Sequence, residues 1–271
     1  MCATAMFFAV AVLSSLVMCG AWLVVAGGSK FGWIDASWSF LVGLAGVVVS
    51  LFPIEGWEAE FWRRTVVATV ALAWSLRLGL HIVSRTLRGK DDPRYVALKA
   101  EWGANWRGRL FWFLQIQAAV ALLLAVTIFM AARNPQQGLH WSDLAGLTLL
   151  VIAVVGEGIA DAQLSRFARN TNDRDAVCDA GLWSLSRHPN YFFQWLGWLG
   201  YAVVAIGPSG TWPWGWCALL GPLMMYLLLT RASGIPPLEK HMMQTRGAAY
   251  AQYQKRVNAF WPGFQRSGST A

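Results

Sequence analysis

The chain has 271 residues, 56% of them hydrophobic and only 13% charged, with a formal net charge of +8. Soluble domains carry about a quarter charged residues, and the apolar residues here come in long blocks, which excludes a large soluble core in favour of a membrane protein. The basic excess would suit nucleic acid, but it is apportioned loop by loop in a pattern that orients membrane spans, so no nucleic-acid partner is expected.

Taken in chain order, the run from Met1 to Ser29 holds no charged side chain and predicts a first span near 5–27, since a span takes roughly 20 residues. It lacks a basic leader and a small-residue cleavage site, so it reads as a retained span and not a signal peptide. Further spans are predicted near 36–54, 65–84, 110–132 and 141–163. The uncharged stretch Tyr191–Thr230 is broken by "GPSGTWP", a hairpin loop that separates spans near 190–207 and 212–230. The expected fold is an all-α polytopic membrane protein of about seven transmembrane helices, one membrane domain over 1–271 with a tail beyond the last span. Eighteen lysines and arginines fall in alternate connecting segments against three in the others, which places the N-terminus outside and the C-terminus in the cytoplasm. Tryptophans near span ends, such as Trp57, Trp112, Trp141 and Trp212, fit an interfacial aromatic belt.

The four cysteines are scattered and suggest neither a disulfide framework nor a zinc site. There is no Gly-rich dinucleotide fingerprint and no Walker loop. The informative residues are polar groups where polar groups are costly. Arg77 and His81 stand four apart on the third span, and Glu157 and Asp161 four apart on the fifth, so each pair shares a helix face. Two readings stay open: a buried ion-pair set that fixes packing, or a polar pocket at the cytoplasmic end of the fifth span.

In "SLSRHPNYFFQW" (184–195), Pro189 suits the first helical position. Asn190, Gln194, Trp198 and Tyr201 then share a face, with Tyr191 beside them. Arg187 and His188 stand at the positive end of the helix dipole, which favours an anion. In the tail, Arg246, Tyr250, Tyr253 and Val257 fall on one helical face. That face lies either on lipid phosphates as an amphipathic helix or around a ligand, with Arg246 on a phosphate and a Tyr ring on a base. With Arg88 and Arg169 in the same set of loops, the cations suit a ligand that is anionic at one end, approached from the cytosol. A hydrophobic substrate would enter from the bilayer.

The segments "IADAQLSRF" (159–167), "GLWSLSRHPNYFFQW" (181–195), "LLTRASGIPPLE" (228–239) and "YAQYQKRVNAFWPGF" (250–264) resemble the steroid 5-alpha-reductase-like membrane family, in particular its bacterial branch. "WIDASW" (33–38), "LRLGLHIVSR" (76–85) and "DDPRY" (91–95) resemble earlier landmarks of that branch. The likeness spans most of the chain and is strongest over 159–264, the region that includes the cytoplasmic tail. It implies a seven-helix enzyme of the bacterial inner membrane that takes NADPH from the cytoplasmic side. Hydride would pass to a carbon–carbon double bond conjugated to a carbonyl in a steroid-like or lipid substrate.

By motif position, Asn190 would contact the nicotinamide end and Asp161 and Glu157 other polar parts of the cofactor. Arg88, Arg169, Arg246 and Tyr253 would serve its phosphate, ribose or adenine side, with Arg187, His188, Tyr191 and Tyr250 lining the same region. Negative charge on the carbonyl oxygen calls for an acid or donor. Candidates for the reacting end are Gln194, where the family usually has Glu; Trp74, at the place of the steroid enzymes' carbonyl-binding residue on helix three; and Asp35 or Glu55, as the acid. Two further readings are an S-adenosylmethionine-dependent membrane methyltransferase of the isoprenylcysteine carboxyl methyltransferase type, which shares "RHPxY", and a non-catalytic lipid-binding membrane protein.

Overall fold

The uncharged runs fold as long helices. The computed structural model describes residues 1–89, 91–171, 173 and 175–265; Lys90, Arg174 and Arg266, which enter the charge count, lie outside the described residues. Among the described residues nine α-helices follow in order: α1 (Ala3–Ala26), α2 (Gly32–Leu51), α3 (Phe61–Arg88), α4 (Pro93–Trp102), α5 (Trp106–Ala132), α6 (Trp141–Asn170), α7 (Pro189–Ile206), α8 (Leu220–Leu227) and α9 (Ile235–Arg256). No strand occurs among the described residues. A 3₁₀ turn over Pro213–Leu219 leads into α8, and a π-helical turn over Leu228–Ala232 leaves it.

Among the described residues six helical stretches are long and apolar enough to cross a membrane: α1, α2, α3, Pro93–Ala132, α6 and the stretch that begins at Pro213. The sequence predicts about seven. The one outside the six is α7, which has 18 residues and spends Pro189, Asn190 and Gln194 on polar or helix-starting positions. Helix α4 was not predicted. It begins where Asp92 accepts a hydrogen bond from the Arg94 N–H at 3.0 Å and Pro93 takes the first turn, a start signal legible in "DDPRY".

Two compact units make up the chain, Met1–Leu147 with Leu199–Pro222, and Thr148–Trp198 with Leu223–Ala271. In the first, α2 and α3 pack through small residues. A Cβ on Gly43 would sit 2.1 Å from the Ser75 side chain, and one on Gly46 3.1 Å from Ala71. This close approach lets the Ser75 hydroxyl donate across the pair to the Ser39 carbonyl at 2.9 Å. Small side chains serve here because apolar side chains gain nothing over lipid by merely being covered, so close van der Waals contact and interhelical hydrogen bonds decide.

The loops at the two ends of this unit are tied by charged side chains. At one end, Arg63 is 1% exposed and pairs with both carboxylate oxygens of Asp143 at 3.0 and 3.1 Å. Arg63 also donates to the carbonyls of Asn134, Gln136 and Gly138. Arg133, 2% exposed, donates to the carbonyls of Val49, Phe52 and Trp57, and Arg64 to those of Ser50 and Leu51. The orphan carbonyls at the end of α2 are thus satisfied by two arginines. At the other end, Lys30 donates to the carbonyls of Thr86 and Gly89, and Asp35 pairs with Arg94.

In the second unit, α6 and α7 also meet over small residues. Ala153 stands 3.3 Å from a Cβ built on Gly197, and a Cβ on Gly156 would collide with the Phe193 ring at 2.5 Å. The π turn and Gly234, whose Cβ would meet the Leu229 carbonyl at 2.4 Å, set the start of α9. That helix bends at Gly247, where φ is +45°.

Two variants test this packing. Gly43→Leu should destabilise the detergent-solubilised protein by about 1–3 kcal/mol through overpacking, while Gly20→Leu, with nothing within 4 Å of its Cβ, should leave the thermal midpoint unchanged. Asp143→Ala, which strands the Arg63 guanidinium, should cost about 3–5 kcal/mol, read by the same thermal unfolding.

Candidate functional site

Most of the predicted site residues lie in the second unit. On α6, Glu157 and Asp161 are 3% and 9% exposed, one turn apart. Pro189 opens α7, as its fixed φ favours, and the next residue turns its side chain to α6. The Asn190 amide donates to Asp161 Oδ1 at 3.3 Å, and its own Oδ1 accepts the Tyr191 N–H at 3.0 Å. Two residues 29 apart in sequence, singled out by motif, thus touch inside a helix pair.

Immediately before α7, residues 184–188 are clamped by α9 and the segment that follows it. The Arg187 N–H donates to the Asn258 carbonyl at 2.9 Å. Its guanidinium grips Glu239 in two-pronged fashion, Nε to Oε1 at 2.7 Å and Nη2 to Oε2 at 3.1 Å. Nη1 donates to the carbonyls of Gln254 and Val257. Glu239 also accepts from Gln254 Nε2 at 2.8 Å and meets His188 Nε2 at 3.1 Å. Ser186 Oγ donates to the Phe260 carbonyl at 3.0 Å, and the Gly263 N–H to the Leu185 carbonyl at 2.9 Å. The His188 ring stacks on Tyr191 with centroids 5.5 Å apart.

The charges in this clamp set one another. Burial works to raise the Glu239 carboxyl, but hydrogen bonds from His188 and Arg187 and the Arg187 charge outweigh it and hold the pKa down at about 2. Burial, aided by the Arg187 charge, pushes His188 below its ordinary value against the pull of Glu239. At neutral pH His188 is therefore uncharged and Glu239 ionised. That assigns the ring proton to Nε2, donated to Glu239.

The anion beside Arg187 and His188, expected from the helix dipole, is supplied here by the chain's own Glu239. On the tail face Tyr250, Tyr253 and Val257 are buried in protein. Arg246 stands just before the bend of α9 at Gly247 and lies against Met242, one of the side chains packed on the tyrosine cluster. Its Nε donates to the Ala176 carbonyl at 2.9 Å. Tyr250, Tyr253 and Val257 form a buried cluster against Val177 and Met242, and the Tyr253 hydroxyl donates to the Trp183 carbonyl. Both phenol rings are closed into protein, and burial pushes both hydroxyls above their ordinary pKa. Arg169 is exposed near the end of α6, and Tyr191 and Gln194 are half-buried on α7.

Asp35, Trp74 and Arg88 lie in the first unit. Trp74 is buried in α3 and Arg88 is exposed at its end. Asp35 accepts from Arg94 and, at 2.7 Å, from the Tyr95 hydroxyl, which in turn accepts from Gln117 Nε2 at 3.2 Å. Within that cluster Asp35 accepts, and Arg94, Gln117 and the Tyr95 hydroxyl donate. Arg77 and His81 belong to the first unit and Glu157 and Asp161 to the second. Sequence reading passed over Glu239, Gln254, Tyr95 and Gln117; the acidic residue closing "SGIPPLE" was the available signal for the first. Among the described residues no group of His, Cys, Asp and Glu could hold a metal ion.

A membrane-embedded helical protein with a carboxylate–carboxamide contact on adjoining helices is the class these features define. Residues 21–257 match the model of a family described as "protein of unknown function (DUF1295)", and the chain belongs to that family, which is steroid 5-alpha-reductase-like. The chain is also similar to the uncharacterized protein C594.04c of Schizosaccharomyces pombe, 27% identical over 282 residues, covering 94% of this chain and 79% of that one. No solved structure matches.

The clamp gives a pH prediction. Glu239 has a folded pKa near 2 against an ordinary 4.5, so its contribution, on the order of 3 kcal/mol, is complete above about pH 5 and lost as pH falls towards 2. His188, depressed in the folded chain, adds loss in the same direction below its unfolded value, because the unfolded chain binds the extra proton. Thermal midpoints followed from pH 7 to pH 3 should therefore fall in the wild type. Glu239→Gln should start lower at pH 7 and show a flatter decline.

Proposed function

We propose that the protein is an integral-membrane reductase that uses NADPH to reduce a carbon–carbon double bond conjugated to a carbonyl in a steroid-like or lipid substrate. The observation that carries this reading is the Asp161–Asn190 hydrogen bond with buried Glu157 one turn away. Polar groups at this depth are costly and mark functional positions by default. A carboxamide and two carboxylates offer the donor and acceptors that fit a ring bearing its own carboxamide, so the residues suit the nicotinamide end. Arg246 and the exposed Arg169 are the cations of this unit suited to the phosphates.

NADPH, when bound, supplies the hydride. The chain's own part is to hold and orient, and to keep water away. Arg187 and His188 act through Glu239: by fixing the turn that opens α7, they orient Asn190. Gln194, one turn beyond Asn190, offers an amide N–H towards charge developing on a substrate oxygen. We read α7 as a seventh span, the N-terminus as outside, the C-terminus as cytoplasmic, and the setting as a bacterial inner membrane. The loop-by-loop distribution of lysine and arginine supports that reading. A hydrophobic substrate then arrives through the bilayer.

The test is a thermal-shift titration of the detergent-purified protein with NADPH and, separately, with S-adenosylmethionine. NADPH at about a hundredfold over its Kd should stabilise by about 2.7 kcal/mol, and Asn190→Ala and Asp161→Ala should each abolish the shift. Stabilisation by S-adenosylmethionine alone would replace this reading with a methyltransferase. Stabilisation by neither would leave a lipid-binding protein.

A further inference from the structure

The second unit contains a cleft of about 410 Å³, within the size range of small-ligand pockets. Three pieces of chain wall it: Leu185 before α7; Pro189, Phe192 and Trp195 on the first two turns of α7; and Trp261 and Pro262 after α9. No lining side chain is charged, and the only polar side-chain atoms among them are indole N–H groups. A polar ligand group placed here would lose its water with almost nothing to replace it, a cost of several kcal/mol on transfer scales. The walls therefore select hydrocarbon.

The far wall is held in place and not loosely draped. The segment after α9 is pinned by the Ser186–Phe260 and Gly263–Leu185 hydrogen bonds. Its Trp261 ring packs edge-on against Trp195 at 5.1 Å and lies 6.1 Å from Tyr226 of α8. Trp261 is still 49% exposed, and Phe264, three residues on, is 95% exposed, so the mouth is apolar too. Along α8, Leu223 and Leu227 flank Tyr226 and are exposed. In a span-forming stretch this exposed apolar surface is the side turned to lipid. The cleft mouth is thus continuous, through Tyr226 and Trp261, with the surface from which a lipid would come.

We propose that this cleft seats a hydrocarbon tail, acyl or isoprenoid, of a lipid-like molecule that enters from the bilayer. Identifying that molecule as the substrate rests on the reductase reading; the cleft's preference for a chain does not. The tail lies against the first turns of α7, the helix that also carries Asn190 and Gln194, so its seating sets how far the rest of the molecule reaches along that helix.

The probe is palmitic acid carrying a mid-chain diazirine, photolysed on the detergent-purified protein, with labelled peptides mapped by mass spectrometry. Label should concentrate in 182–195 and 257–265 and be competed by excess unlabelled palmitate. Leu185→Trp, which fills the cleft, should lower labelling there about tenfold, as when one or two methylenes lose their seat. If that variant does not fold, Leu182→Phe makes the same test from the neighbouring wall. A phosphatidylcholine bearing the same diazirine chain separates sources: labelling by the free acid alone identifies a diffusible ligand, and labelling by both identifies bilayer lipid. Label spread evenly over all spanning helices, or unaffected by a folded cleft-filling variant, overturns the proposal. Loss of NADPH binding with cleft labelling intact would instead remove the reductase reading and leave the hydrocarbon site standing.

Discussion

A guanidinium has five N–H donors in a rigid fork, and several arginines of this protein, three of them above all, spend theirs on main-chain carbonyls where the chain turns. Arg133 closes the end of α2, Arg63 gathers the 134–138 loop around Asp143, and Arg187 joins the start of α7 to α9 and the tail. In hydrocarbon each unsatisfied backbone group costs several kcal/mol, so the loops joining spanning helices must be satisfied from within. Arginine can serve several carbonyls at once without being deprotonated. Two of these three are also paired with carboxylates, Arg63 with Asp143 and Arg187 with Glu239.

This use of arginine bears on orientation. The alternate connecting segments that together carry three basic residues hold Arg63, Arg64 and Arg133, and all three are engaged with carbonyls or with Asp143. The few cations that run against the dominant bias are thus structural staples. Those on the richer side include exposed ones such as Arg88, Arg166 and Arg169.

Much of the fold was legible because its signal is local. An uncharged run of 20 residues reads as a helix, and predicted 36–54 and 110–132 fall on α2 and α5 with offsets of a few residues at one or both ends. Asp161 and Asn190 are each legible by motif position, though the sequence does not give the contact between them. The clamp was not. Glu239 reaches Arg187 across 52 residues, by way of a π turn and a sterically constrained Gly234, and more than half of the clamp's hydrogen bonds go to backbone carbonyls that carry no residue-type signal. On the tail face, periodicity alone places Tyr250, Tyr253 and Val257 together, and it carries no sign of the bend at Gly247 that precedes them. Helix α4 was missed because a charged loop was read for its charge and not for its Asp-Pro start.

The π turn at Leu228–Ala232 makes the register of α9 sensitive to chain length and not only to residue type. An α-helix advances 100° per residue, so a homologue shorter by one residue in that turn would begin its α9 rotated by more than a quarter circle. Position 239 would then face elsewhere, and an arginine equivalent to Arg187 would need a different counter-ion. Among relatives, the presence of that extra residue and of a carboxylate at the position of Glu239 should therefore be inherited as one trait, gained or lost together.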